Sequence, residues 1–130
     1  MFRVLILEDD PVRIKAFNQT LIGYADVTVV VSAAVCIDFL KNNEPYDIVM
    51  LDHDLGEQWM VSTDEENSGS EVVRFMLTDD MKYKPICIVH SLNPVAAEEM
   101  VKKLKDSDFE THRIPYLDLI RQLPNCIVAN

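Results

Sequence analysis

Carboxylate and imidazole side chains follow three of the apolar runs in this sequence. Glu8-Asp9-Asp10 follows the first run, Asp52-His53-Asp54 the third, and His90-Ser91-Leu92-Asn93 the fourth. Adjacent carboxylates repel each other unless a cation lies between them. Oxygen ligands of this kind suit Mg²⁺ or Mn²⁺, and neighbouring imidazoles widen the choice to Zn²⁺ or Fe²⁺. The clusters therefore predict a divalent metal site.

Simpler interpretations stay open for several of these residues. Acidic side chains at strand ends are often only solvated, and Asp10 before Pro11 is typical of a helix N-cap. Asn93 before Pro94 is equally typical of one. His112 falls in a weak strand, where a structural or exposed role is favoured.

The apolar runs and the stretches between them alternate in type. Buried strands are predicted at 4–7, 27–31, 48–51, 86–89 and, more weakly, 111–114. Helical spacing is found at 11–22, 32–42, 70–77, 94–104 and 115–123. Five β-α repeats predict an α/β fold, a five-stranded parallel sheet flanked by helices. We expect one domain over 1–130, with 124–130 as a C-terminal tail. The carboxyl ends of parallel strands meet at one edge, so the charged clusters should converge there.

Composition excludes some classes of function. The chain has 130 residues, 22 acids against 12 bases and a formal charge of −10, which argues against a general nucleic-acid coat. This charge does not exclude the binding of a single RNA end.

The longest uncharged apolar stretch, 27–37, is too short to span a bilayer, and early acids argue against a signal peptide. Three separated cysteines form no disulfide framework, Cys36 and Cys87 are expected in the core, and we expect a cytoplasmic location.

A long connection runs from Asp54 to Gly69 and carries Trp59 and the acidic triplet 64–66. Connections between a strand and a helix usually span about 2–6 residues. Residues 57–68 are therefore either a lid beside the site or a solvated insertion.

The opening Val-Leu-Ile-Leu-Glu-Asp-Asp-Pro and the run from Tyr46 to Asp52 resemble the receiver domains of bacterial response regulators, the flavodoxin-like CheY fold. Pro85-Ile-Cys-Ile-Val-His-Ser resembles their fourth strand, and the resemblance extends to about residue 123. It implies that Glu8 and Asp9 hold a metal, that Asp52 is the phosphoacceptor, and that Asp54 lends a backbone carbonyl.

The departures from that pattern indicate a subfamily. His90 replaces a Thr or Ser, and Arg113-Ile114-Pro115 lacks the expected Lys before Pro. The segment "DHDLG" at 52–56 and "HSLN" at 90–93 together resemble the receiver-like domains proposed to process cyclic phosphates. A second Gly is expected after Gly56, where this chain has Glu57.

This resemblance implies a metal-dependent phosphoesterase. Hydrolysis of a cyclic phosphodiester needs charge neutralisation, a positioned water and an acid for the leaving group. The metal would be held by Asp9, Asp52 and Glu8, and the candidate catalytic residues are His90, Asp52 and His53. Substrate contacts are expected from Ser91, Asn93 and Arg113.

Three functions remain open at this point: a phosphoesterase acting on a small phosphorylated substrate or RNA end, a receiver phosphorylated on Asp52, and a phosphate-independent interaction module. We expect no membrane partner, and a protein partner would use the helix and strand face near the fourth and fifth elements.

Overall fold

The protein is a five-stranded parallel sheet flanked by helices, as predicted. The computed structural model describes residues 1–56 and 60–128. The sheet has the order β2-β1-β3-β4-β5. Its strands are β1 (Phe2–Leu7), β2 (Ala25–Val30), β3 (Ile48–Leu51), β4 (Ile86–Val89) and β5 (Thr111–Arg113). The helices are α1 (Pro11–Leu21), α2 (Ala33–Asn42), α3 (Gly69–Met76), α4 (Pro94–Asp106), α5 (Tyr116–Gln122) and α6 (Asn125–Val128).

Two hydrophobic clusters cover the two faces of the sheet. Helices α2, α3 and α4 pack on one face, and α1, α5 and α6 pack on the other. Successive side chains of a strand point to opposite faces. Leu5 and Leu7 therefore enter the first cluster, whereas Val4 and Ile6 enter the second. Because both faces are covered, β3, β4 and the part of β1 from Val4 onward are apolar without interruption.

The predicted caps are confirmed. The Asp10 carboxylate accepts hydrogen bonds from the backbone N–H groups of Val12 and Arg13 and begins α1. The Asn93 side chain accepts one from the N–H of Ala96 and begins α4. β2 begins earlier than the apolar run at 27–31, because its pairing with β1 starts at Ala25.

The cysteines Cys36 and Cys87 are buried in the first cluster, as predicted. Burial raises the pKa of both thiols to about 12. The segment predicted as a C-terminal tail carries α6, and Ile127 is buried in the second cluster. Burial of the apolar Ile127 side chain in this cluster stabilises the helical segment. Among the described residues no helix has both the length and the apolar composition needed to cross a bilayer.

The sheet order changes direction between β1 and β3. β1 lies between β2 and β3, so the chain passes from one face to the other around it. Ligands of open α/β sheets bind at the carboxyl ends of the strands beside such a switch point. Glu8 and Asp52 directly follow these two neighbouring strands.

The start of α3 is pressed against the backbone after β3. A Cβ at Gly69 would lie 1.9 Å from the carbonyl oxygen of Asp52 and 2.8 Å from the methyl group of Met100. Only a glycine fits here, because the nearest obstacle is backbone, which cannot rotate away.

We expect Gly69→Ala to lower the free energy of unfolding by more than about 3 kcal/mol, since α3 must move away from Asp52. Urea denaturation measures this loss. Gly23→Ala is the control: Gly23 has a positive φ of 81°, but open space surrounds its Cβ position. Its loss should stay near 1–2 kcal/mol. Equal losses at the two glycines would contradict the close approach.

Candidate metal centre

Three ligating side chains meet at the carboxyl edge of the sheet. Glu8 follows β1, Asp52 follows β3 and His90 follows β4, and one ligand atom of each lies within 4.8 Å of the others. The ladder of the sheet continues past the strand ends, because the N–H of Asp52 donates to the Leu7 carbonyl and that of His90 to the Leu51 carbonyl. The side chains are nearly inaccessible, at 0%, 4% and 0% exposure. We call Glu8, Asp52 and His90 the carboxylate–imidazole cluster.

The imidazole of His90 is held between a carboxylate and an aromatic ring. Its Nε2 lies 3.1 Å from Oε1 of Glu8. The edge of the ring faces Phe17, with centroids 5.2 Å apart. The described residues give its buried Nδ1 no hydrogen-bond partner. Buried polar atoms are normally satisfied, so His90 retains unused binding capacity.

Arg13 lies beside the carboxylate–imidazole cluster, and the sequence interpretation missed it. From the first turn of α1, its guanidinium lies 3.7 Å from Glu8 and 3.9 Å from Asp52. It also lies over the ring of Tyr116, 5.0 Å from the centroid. At 21% exposure of its side chain, it is the member of this group that reaches solvent. The sequence does contain a sign of this position. Arg13 follows the Asp10 cap by three residues, and the first turn of α1 lies beside the carboxyl end of β1.

The two carboxylates have opposite pKa shifts. Burial raises the pKa of Asp52 to about 8, with a further contribution from the Glu8 charge, against the opposing effects of the His53 N–H and Arg13. Burial also acts to raise the pKa of Glu8, but the hydrogen bond and charge of His90, the Asp10 N–H and Arg13 outweigh it and leave that pKa lowered. The positive charge beside the two carboxylates is therefore too small to lower the pKa of both. Two buried carboxylates and an imidazole with spare capacity are a donor set that fits a divalent cation.

Residues 4–106 match the family model of the cyclic-phosphate processing receiver domain. The chain belongs to this family. No curated protein matches it significantly.

Solved structures of receiver domains share the fold of this cyclic-phosphate processing receiver domain. A signal receiver domain described as that of a Luxo repressor from Vibrio parahaemolyticus is 18% identical, with a TM-score of 0.67; 98% of this chain and 88% of that chain are covered. A sensor protein from Polaromonas sp. JS666 is 23% identical, with a TM-score of 0.65 and coverages of 95% and 93%. The Mn²⁺-bound response regulator Rcp1 is 15% identical, with a TM-score of 0.64 and coverages of 96% and 91%.

Two of the four predicted metal ligands lie outside the carboxylate–imidazole cluster. Oδ2 of Asp9 accepts a hydrogen bond from the Gly56 N–H at 2.5 Å. The Asp54 carboxylate accepts from the N–H groups of Met60 and Val61. Both carboxylates thus hold the loop after β3. The metal contacts predicted for Asp9 and for the Asp54 carbonyl stay predictions.

His53 has a positioning role in the structure, and the catalytic role predicted for it stays a prediction. It is fully buried. Its Nε2 lies 2.9 Å from the Val61 carbonyl oxygen, and its Nδ1 lies 3.1 Å from the Ser70 hydroxyl. Both ring nitrogens therefore join the loop after β3 to the start of α3.

Of the residues predicted to bind substrate, Ser91 and Asn93 are buried after β4, whereas Arg113 is exposed. The Ser91 hydroxyl accepts from the Asn93 N–H. The Asn93 amide donates to Asp54 and to the Val61 carbonyl. The cap interpretation holds for Asn93, because its side-chain oxygen accepts from the Ala96 N–H. Direct substrate contacts of Ser91 and Asn93 stay predictions. Arg113 lies exposed at the end of β5, and its substrate contact also stays a prediction.

The connection predicted as either a lid or an insertion is anchored over its described part, 60–68. Arg74 donates to the carbonyls of Thr63 and Glu65, and the Asn67 side chain accepts from the Ala33 N–H at the start of α2. Ser68 pairs with Asp54 in an isolated β-bridge. Residues 57–59, with Trp59, lie outside the described part. The described segment therefore forms a wall of the site.

We expect Asp52→Asn to stabilise the metal-stripped protein increasingly from pH 5 to pH 8. In this window the folded state keeps the Asp52 proton that the unfolded chain loses, so wild-type stability falls as pH rises. The variant lacks this titration. Its melting temperature should exceed that of the wild type by several degrees at pH 8 and by little at pH 5.

Asp80→Asn, at an exposed aspartate, is the control and should follow the wild type across the window. A constant difference between Asp52→Asn and wild type from pH 5 to pH 8 would contradict the raised pKa. Thermal melts in the presence of a chelator give both curves.

Proposed function

We propose that this cyclic-phosphate processing receiver domain is a metal-dependent phosphoesterase that hydrolyses the cyclic phosphodiester of a small nucleotide. The observation that carries the proposal is the buried carboxylate–imidazole cluster with the Arg13 guanidinium beside it. Glu8, Asp52 and His90 would hold the cation. Arg13 would meet the phosphate.

The donor set supports a metal-assisted reaction. A bound divalent cation would neutralise phosphoryl oxygens and acidify water at the site. A related fold, Rcp1, is found in a Mn²⁺-bound form. The ligands here come from three neighbouring strand ends, so the sheet fixes their spacing.

Arg13 supplies the phosphate contact that this chemistry requires. A guanidinium binds two phosphoryl oxygens at once, and it keeps its charge at every working pH. Its guanidinium lies over the Tyr116 ring and its side chain is partly exposed, so a ligand from solvent could reach it. This chain lacks the Lys that receiver domains have before the Pro after β5. Arg13 of α1 would supply the positive charge in its place.

In the reaction a water oxygen forms a bond to phosphorus while one ring P–O bond breaks. The proton that the water loses ends on the released ribose hydroxyl. Arg13 stabilises the charge on the phosphoryl oxygens, and the wall formed by 60–68 limits access of bulk water. Glu8 holds His90 through its Nε2, which fixes the orientation of the ring.

Charge favours a mononucleotide over a long RNA. The chain carries a net charge of −10, and the wall of the site includes the acidic triplet Asp64, Glu65 and Glu66. Each further phosphate of an RNA would add repulsion to this surface. A single cyclic phosphate can be neutralised by Arg13 and the bound cation alone.

Phosphorylation of Asp52 is the second candidate. The specific observation that favours it is the place of Asp52 at the end of β3, beside Glu8, in a fold shared with response-regulator receivers. The inaccessibility of its side chain and its hydrogen bond from the His53 N–H count against it as a nucleophile.

The test is hydrolysis of 2′,3′-cyclic and 3′,5′-cyclic mononucleotides by metal-stripped protein to which Mg²⁺, Mn²⁺, Zn²⁺ or Fe²⁺ is restored. We expect metal-dependent turnover, and a loss of kcat/KM of about 100-fold or more in Asp52→Asn. Asp80→Asn should retain the wild-type value. No turnover with any metal, together with a phosphate-sized mass increase on Asp52 after acetyl phosphate treatment, would favour the second candidate.

The same assay separates the two arginines. Arg13→Gln should lower kcat/KM roughly 100-fold, as expected for a lost charge contact to the transition state. Arg113→Gln should change it by no more than about threefold, because Arg113 lies exposed at the end of β5. The reverse order of effects would assign the phosphate contact to Arg113.

A further inference from the structure

We propose that the carboxylate–imidazole cluster selects a first-row transition-metal ion over Mg²⁺, and that His90 sets this preference. The inference rests on the metal site of the proposed function and deepens it by naming the class of cation. It stands on three features of the cluster: the diverted Asp9 carboxylate, the charge of Arg13 and the burial of the ligands.

The Asp9 carboxylate serves the loop instead of the cluster. Its Oδ2 accepts a short hydrogen bond from the Gly56 N–H, and the ligand group found among the described residues is Glu8, Asp52 and His90. An imidazole therefore replaces a third carboxylate. Oxygen-only sites suit Mg²⁺, whereas a nitrogen ligand adds affinity for transition metals.

The positive charge of Arg13 reduces the net negative charge that Glu8 and Asp52 offer to a hard cation such as Mg²⁺. Two carboxylates face one guanidinium, at 3.7 Å from Glu8 and 3.9 Å from Asp52. Mg²⁺ is held mainly by the charge of its ligands, so the guanidinium weakens its binding most. A transition metal regains part of that loss through its bond to the imidazole.

Burial also disfavours Mg²⁺. This ion usually keeps several of its waters and is bound by only one or two carboxylates. Glu8 and His90 are fully buried and Asp52 is nearly so, so a cation bound by all three would exchange several of its waters for protein ligands. The Nε2 atom of His90 lies 3.1 Å from Oε1 of Glu8, which places a ring nitrogen beside a carboxylate of the cluster.

Calorimetric titration of the metal-stripped full chain with Mn²⁺ and with Mg²⁺ tests the preference. Mn²⁺ is the stringent choice, because it stands lowest among the divalent first-row transition ions in affinity for nitrogen ligands. We expect a Kd for Mn²⁺ at least tenfold below that for Mg²⁺. His90→Asp should reduce this ratio to within about threefold, whereas His112→Asp, at an exposed histidine outside the cluster, should leave it unchanged. Equal affinities in the wild type, or an unchanged ratio in a folded His90→Asp protein, would overturn the proposal.

A second measurement does not depend on the folding of a variant. Pulsed electron paramagnetic resonance of the Mn²⁺-loaded wild type should show coupling to an imidazole ¹⁴N nucleus, and the coupling should persist in His112→Asp. Its absence from the wild type would overturn the role of His90. Neither readout involves substrate, so loss of the proposed phosphoesterase activity and loss of the metal preference are separate results.

Discussion

The burial of two carboxylates side by side is the constraint on which the site depends. Glu8 and Asp52 follow neighbouring central strands, so the pairing of these strands places the two carboxylates side by side in spite of their mutual repulsion. Burial raises the pKa of Asp52 to about 8, and the repulsion between the two carboxylates adds to that increase. His90 and Arg13 offset part of that repulsion, and a divalent cation would offset the rest. The arrangement is costly for a purely structural edge of a sheet, and it is suited to binding a cation and a phosphate.

The elements around the cluster hold its backbone in place. Gly69 lets α3 approach the Asp52 carbonyl, and its N–H donates to the His53 carbonyl. The His53 ring then joins Val61 to Ser70, while Asn93 joins the same loop to α4. The loop after β3 is thereby tied to two helices. His53 and Asn93, whose types suggest chemistry in the sequence, thus hold the backbone in place, and Asp52 of the carboxylate–imidazole cluster directly precedes His53.

The fold could be predicted because it follows from local patterns: uninterrupted apolar strands, helical spacing and caps such as Asp10 and Asn93. The convergence of Glu8, Asp52 and His90 followed from the parallel sheet. The division of roles among neighbours could not be predicted, since Asp9 turns to a loop N–H that is distant in sequence. Arg13 was missed because one arginine in a helix resembles a solvated residue until the strand ends beside it are known.

The most direct measurement is anomalous diffraction at the manganese edge from crystals grown with Mn²⁺. We expect one strong peak within ligand distance, about 2.0–2.4 Å, of Glu8, Asp52 and His90, with the Asp9 carboxylate still bonded to the Gly56 N–H. A peak held by Asp9 and Asp52, with His90 still hydrogen-bonded to Glu8, would contradict the assignment of the site.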